Sequence, residues 1–310
     1  MTVALFTHPA CLLHDTGPGH PESPDRLRMV LRALEKPEFS ALLRESAPAA
    51  SREHLVRMHR PDYVDAILRI RPSDGDLVPL DADTVMSAGS AEAALRAAGG
   101  AVAAVDAVQE GRARAAFVAV RPPGHHAEPS AAMGFCLFNN AAVAAQHARD
   151  RWGLARVAVV DFDVHHGNGT QAMFAADPGL FYASSHQHPC YPGTGHAHER
   201  GIAGNIVNAP LPPGADGGLF RRAWEERILP ALDAFAPELL IVSAGFDAHR
   251  ADPLAELRLE VDDFAWLTGA LAGVAARHCG GRMVSVLEGG YDLAALAASA
   301  AAHVRELARC

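Results

Sequence analysis

Val157-Ala158-Val159-Val160-Asp161-Phe162-Asp163-Val164-His165-His166-Gly167-Asn168-Gly169 is the stretch that decides the fold. Its first four residues form a continuous apolar run, the pattern of a strand buried on both faces, and such strands belong to parallel sheets. Open parallel sheets place their sites at the carboxyl ends of their strands. This strand therefore delivers carboxylates and imidazoles into a cleft. Side chains two apart on an extended backbone share a side, which puts Asp163 beside His165. Carboxylate oxygen with imidazole nitrogen is a ligand set suited to zinc.

Outward from this stretch, strands alternate with helices. The expected strands are Val3 to Phe6, Ala115 to Val120, Val157 to Asp161, Leu180 to Ser184, Leu239 to Ser243 and Met283 to Leu287. Helical spacing runs over Asp25 to Leu34, Ala91 to Val108, Asn140 to Asp150, Gly218 to Phe235, Asp262 to Cys279 and Leu293 to Arg309. This order predicts an α/β fold with a mostly parallel central sheet and helices on both faces. Residues 1–310 read as a single domain, a length at which α/β folds often stay undivided. Long connections at Arg121 to Asn139 and Gln187 to Asp216 read as functional loops.

Four strand ends carry chemistry. Ala115 to Val120 runs into Arg121-Pro122-Pro123-Gly124-His125-His126, and Val157 to Val160 into the metal segment. Leu239 to Ser243 leads to Asp247, and Met283 to Leu287 to Glu288-Gly289-Gly290-Tyr291. In a parallel sheet all four meet on one rim. Asp247 then completes a two-aspartate, one-histidine zinc site that keeps a position open for water, as hydrolytic zinc requires. His125 and His126 suit general acid and base work, with Asp161 and Asn168 as orienting groups. Tyr291 is the remaining electrophile, and its flanking glycines allow close backbone approach.

Composition excludes several classes. The formal charge is −9, from 36 acidic against 27 basic residues, with no basic cluster, so no nucleic-acid partner is expected. No apolar run approaches the roughly 20 residues a membrane span needs, and no secretory leader is read. The cysteines Cys11, Cys136, Cys190, Cys279 and Cys310 are odd in number and never spaced Cys-x-x-Cys, which argues for a reducing, cytoplasmic setting.

The motifs together resemble the zinc-dependent histone deacetylase superfamily, and most its class II and bacterial amidohydrolase branch. They are GHPE at 19–22, RPPGHHAEPSAAMGFCLFN at 121–139, DFDVHHGNGTQ at 161–171, YPGTG at 191–195, SAGFDAHRADPL at 243–254 and LEGGY at 287–291. The resemblance implies an arginase/deacetylase-type domain in which Asp163, His165 and Asp247 hold zinc. It pairs His125 with Asp161 and His126 with Asn168, an amide where class I members carry Asp, and has Tyr291 polarise the acyl carbonyl. Gly134, Phe135, Tyr191 and Gly289 would border the acyl-lysine tunnel, with Tyr191 standing where Phe is usual. Arg26 would line an acetate-release channel. A structural potassium ion is implied near Asp161, Asp163, His165, Ser184 and Ser185.

The implied reaction is hydrolysis of an acylated amine, acyl-lysine first and an acetylated polyamine or other small molecule as the alternative. Leu254 stands where polyamine-specific relatives can carry an acidic gatekeeper, which leans towards acyl-lysine. A binuclear ureohydrolase would need carboxylates at Gly167 and His249, and a non-catalytic acyl-lysine binding module would have lost catalytic groups. His14 and His20 are expected as exposed rim residues, His166 as packing, and Asp81 and Asp83 as turn caps. The histidines at 186, 188, 196 and 198 form a cluster without carboxylate support.

Overall fold

The computed structural model describes residues 2–309. Among them, eight strands form one sheet in the order β2 (Leu43–Ser46), β1 (Val3–Thr7), β5 (Ala115–Val118), β10 (Met283–Leu287), β9 (Leu239–Ala244), β6 (Val157–Asp161), β7 (Leu180–Gln187) and β8 (Ile206–Leu211). Every neighbouring pair is parallel. The inner strands β5, β6, β9 and β10 are buried at every residue, so continuous apolar runs are what their two-sided environment demands. A separate antiparallel pair, β3 (Val78–Pro79) with β4 (Val85–Met86), lies in the loop region before the long helix that follows.

Helices cover both faces. On β5, Phe117 packs edge-on against His303 of α10 (Leu293–Arg309), while the next residue, Val118, lies against Gly100 of α4 (Ser90–Gln109). Adjacent strand residues point to opposite faces, so α4 and α10 sit on opposite sides. With α4 packs α5 (Asn140–Trp152); with α10 pack α1 (Pro24–Ala33) and α9 (Val261–His278). Shorter helices complete the layers: α2 (Arg52–Leu55), α3 (Pro61–Arg69), α6 (Asn168–Phe174), α7 (Gly217–Ala223) and α8 (Leu229–Phe235).

Threading positions the site. The chain lays β6, β7 and β8 out to one edge, then returns to insert β9 and β10 between β6 and β5. The four chemistry-bearing strand ends thereby occupy four adjacent places in the sheet, β5-β10-β9-β6. In register, Asp161 stands beside Ser243, and Leu287 beside Ala244.

Two expectations are corrected. The Gln187 to Asp216 loop contains β8, an edge strand whose Pro210 pairs in register with His186; proline is tolerated there because an edge strand has one side free of the ladder. The helix expected over Gly218 to Phe235 is interrupted by a π turn at Trp224–Ile228. Pro230 supplies the reason, since it lacks an N–H and its ring crowds the preceding turn. The edge strand β2 also escaped the pattern, being largely exposed and polar.

Candidate metal centre and active site

Asp163 and His165 leave the end of β6, and Asp247 follows β9. Their ligand atoms all lie within 4.8 Å of one another, and all three residues are buried. His165 Nδ1 is 3.1 Å from Asp163 Oδ1 and 3.3 Å from Asp247 Oδ2. Backbone donors take the outward oxygens: Gly289 N–H donates to Asp163 Oδ2 at 2.8 Å, and Val164 N–H to Asp247 Oδ1 at 2.8 Å. Asp247 Oδ2 is buried without a hydrogen-bond partner. Burial and the neighbouring Asp163 push Asp247 up to about 7. Burial disfavours charge on His165, but the adjacent carboxylates of Asp163 and Asp247 raise it well above its ordinary value. An uncommitted carboxylate oxygen and an imidazole nitrogen converging in a buried, electronegative place fit a divalent cation with mixed oxygen and nitrogen preference.

The backbone must come very close here. A Cβ on Gly289 would lie 2.0 Å from Asp247 Oδ2 and 2.5 Å from Asp163 Oδ2, so no other residue fits without displacing both ligands. A side chain at Gly167 would meet Asp161 Oδ2 at 2.5 Å and the Tyr182 hydroxyl at 2.6 Å. The extra carboxylate of a binuclear site therefore has no room.

His125 and His126 follow β5, with ring centroids 4.0 Å apart. His125 Nδ1 is 2.9 Å from Asp161 Oδ2, and His126 Nδ1 is 2.8 Å from Asn168 Oδ1. The two environments push the rings apart. Burial opposes charge on His125, yet Asp161 and Asp163 overcome it and lift it to about 10. Burial, His125 and His165 hold His126 well below its ordinary value. One imidazole is thus held protonated and its neighbour neutral.

Glu288, quoted at its strand end in the sequence but given no role there, anchors this loop. Its buried Oε2 accepts from the N–H groups of Gly124 at 2.6 Å and His125 at 3.2 Å, and its Oε1 accepts from the Ser243 hydroxyl at 3.1 Å. Tyr182, also missed, donates to Asp161 Oδ2 at 3.1 Å and accepts from Gly167 N–H at 2.9 Å. No local pattern marks either residue, because their partners are 15 to 164 positions away.

Tyr291 is fixed from both ends of its turn. Its N–H donates to Asp252 Oδ2 at 2.7 Å, and the Arg26 guanidinium stacks over its ring at 4.8 Å. Arg26, fully buried, donates to the carbonyls of Gly290 at 2.6 Å and Glu288 at 2.5 Å. Arg26 Nη1 donates to Glu22 at 2.9 Å, and Glu22 is also gripped by Arg121 through both carboxylate oxygens, at 2.5 and 2.6 Å.

His126, His165 and Tyr291 open onto a cavity of about 220 Å³ that Asp83, Gly134, Phe135, Tyr191 and Leu254 also line. Phe135 and Tyr191 are its aromatic walls, with Tyr191 edge-on to His126 at 5.1 Å and Phe135 edge-on to Tyr291 at 5.9 Å. Leu254 borders it, 38% exposed. Asp83 borders it too, so the mouth carries a carboxylate even with leucine at 254. Of the expected potassium set, Asp161 and Ser184 are register partners. The side-chain oxygens of Ser184 and Ser185 are engaged with His186 and Trp224.

His14 is a correction: it is buried rather than on an exposed rim, its Nδ1 2.7 Å from Ser90 Oγ and its Nε2 3.5 Å from Glu22. Burial holds it neutral, down to about 4. His20 packs edge-on against Phe135 at 4.8 Å, half-buried. Asp81 caps its turn through the N–H groups of Asp83 and Thr84, as expected, whereas Asp83 faces the cavity. His166 is buried between Thr194 and Gln171. Cys11, Cys136, Cys190 and Cys279 are unpaired, and Cys310 lies outside the described residues.

Comparison with known proteins agrees with this geometry. A family model described as the histone deacetylase domain matches residues 20–307. The histone deacetylase-like amidohydrolase of Pseudomonas aeruginosa is 40% identical over 326 residues, covering 98% of this chain and 85% of its own. Histone deacetylase 14, chloroplastic, of Arabidopsis thaliana is 37% identical over 322 residues, 98% of this chain and 76% of its own. The crystal structure of the HDA15 HD domain superposes with a TM-score of 0.92 at 37% identity, covering 99% of this chain and 88% of that one.

Proposed function

The chain belongs to the histone deacetylase family of deacetylases and amidohydrolases, and on that premise we propose that it is a zinc-dependent hydrolase of acylated amines, with acyl-lysine as the substrate class. The observation that carries this reading is that His165 of the Asp163–His165–Asp247 triad, His126 of the histidine pair and Tyr291 line one aromatic-walled cavity. Asp163, His165 and Asp247 would hold the zinc ion, which when bound supplies a Lewis acid for the amide carbonyl and for water.

The chain's own groups supply the rest. Phe135 and Tyr191 flank the apolar stem of the acylated side chain and exclude water from it, with Gly134 and Gly289 giving it room. The Tyr291 hydroxyl donates to the carbonyl oxygen as negative charge develops there. His126, kept neutral, accepts at Nε2 the proton of the attacking water. His125, kept charged by Asp161, holds the proton that the departing amine nitrogen requires. The products are an acylate and a free amine. Arg26 ties the Tyr291 turn in place and remains the candidate for guiding the acylate away. A potassium ion near Asp161, Asp163, His165, Ser184 and Ser185 would rest on backbone carbonyls, since both serine hydroxyls are engaged; dependence of activity on added potassium tests it. Four unpaired cysteines accord with a reducing compartment such as the cytoplasm. Among the described residues no helix is long and apolar enough to cross a membrane.

A second reading, an acetylated polyamine as substrate, is favoured by one observation. Asp83 puts a carboxylate at the mouth where a distal ammonium would sit. A panel of Nε-acetyl-lysine peptides and acetylated polyamines, assayed with enzyme of measured zinc content, separates the two. Chelation and Asp247→Ala are expected to abolish both zinc binding and hydrolysis. Full activity from metal-free Asp247→Ala protein would overturn the proposed chemistry.

A further inference from the structure

The two histidine dyads differ in kind. His125 meets a carboxylate, which accepts through either oxygen. His126 meets an amide, one end of which accepts while the other donates. If the amide carbonyl faces the ring, His126 must carry its proton on Nδ1, and Nε2 is bare towards the cleft. If the amide nitrogen faces it, Nδ1 is bare, Nε2 carries the proton, and Nε2 then has no lone pair with which to accept another. An isolated asparagine favours neither arrangement.

What decides it lies behind Asn168. The amide nitrogen is 2.9 Å from Glu128 Oε1 and 3.2 Å from Met133 Sδ, and both atoms can only accept. The Asn168 carbonyl is therefore the end left for His126 Nδ1, at 2.8 Å. The backbone of Glu128 is held on both sides. Its N–H donates to the Ala131 carbonyl at 2.9 Å, closing a turn, and its own carbonyl accepts from His59 Nδ1 at 3.0 Å. His59 can donate there because its Nε2 accepts from Asn139 N–H at 2.9 Å. Arg60 N–H, at the start of α3, donates to the next carbonyl, that of Pro129, at 2.7 Å.

We propose that Glu128 is a positioning residue for the hydrolytic reaction: acting through Asn168, its carboxylate fixes the tautomer of His126 that leaves Nε2 free to accept a proton. This rests on the reading of His126 as the proton acceptor. It gives the second dyad a carboxylate after all, placed one hydrogen bond further from the ring than Asp161 is from His125.

The test uses zinc-loaded enzyme and an Nε-acetyl-lysine peptide. Glu128→Leu removes the acceptor at a partly exposed position that does not line the cavity. It is expected to lower kcat about 10-fold or more with KM within about twofold, and to change the ¹⁵N shifts of the His126 ring. Glu128→Gln retains one carbonyl acceptor and should lose less. In an Asn168→Asp background the carboxylate accepts from Nδ1 in either orientation, so Glu128→Leu should cost nothing further and can raise kcat by removing a like charge. An equal penalty in both backgrounds, or a kcat for Glu128→Leu within twofold of the unmodified enzyme, would overturn the proposal. His126→Ala tests the underlying reading separately: if it keeps its activity, His126 is not the acceptor, whatever Glu128 does.

Discussion

Glu22→Gln should cost this protein a large part of its stability. Glu22, Arg26 and Arg121 are all fully buried, and one carboxylate serves two guanidiniums: both Glu22 oxygens bind Arg121, and Oε1 also accepts from Arg26. Glutamine keeps the shape but removes the carboxylate charge that faces both guanidiniums and turns an N–H₂ group towards a donor. Breaking a buried pair from one side costs about 3–5 kcal/mol, because the charges left behind have lost their compensation. Unfolding entropy scales with length, and for 310 residues each kcal/mol corresponds to about 1.5 °C in Tm, so the expected drop is about 5–8 °C. The pH dependence gives a second reading. Burial opposes ionisation of Glu22, but Arg121 and Arg26 hold its carboxyl down at about 2, against 4.5 for the free group. A depressed carboxylate stabilises fully above the unfolded value and loses that contribution as pH falls towards the folded one. The gap between the two proteins should therefore be constant above about pH 5 and narrow between pH 4.5 and 2. Scanning calorimetry or thermal circular dichroism at several pH values measures both. A Tm within 2 °C of the unmodified protein at pH 7, or a gap that does not narrow on acidification, would refute the role given to this charge cluster.

Three further outcomes are expected. Tyr291→Phe keeps the ring under Arg26 but removes one donor to the developing oxyanion, so kcat should fall about 100-fold while substrate still binds, as steady-state kinetics will show. Gly289→Ala forces a methyl group into the space of Asp247 Oδ2 and Asp163 Oδ2, and titration should show zinc affinity reduced about 10-fold or more. Leu254→Glu adds a second carboxylate beside Asp83 at the cavity mouth. It should raise kcat/KM for N8-acetylspermidine relative to an acetyl-lysine peptide by roughly 1 kcal/mol or less, about fivefold at most, with the gain shrinking in high salt; Asp83→Asn should shift the same ratio the other way.

The sequence by itself determined the parallel α/β architecture, because inner strands buried on both faces must be written as unbroken apolar runs. It also marked the metal and imidazole residues, because they sit within a few positions of those runs and strand geometry aims them. Edge strands β2 and β8 stayed hidden for the converse reason: β2 is largely exposed and polar, and β8 interrupts its apolar residues with Asn208 and Pro210, so each resembles a loop. Only the tertiary structure decided that β9 and β10 slide between β5 and β6, making four scattered strand ends adjacent. The same holds for Glu22 between two arginines, for Glu288 beneath the histidine loop and for Glu128 behind Asn168. Each of these carboxylates takes its meaning from a partner far along the chain, and a lone glutamate in sequence carries no sign of whether a guanidinium, an amide or water will meet it. His14 shows the same limit, since the burial that keeps it neutral comes from α4 packing over the loop that holds it.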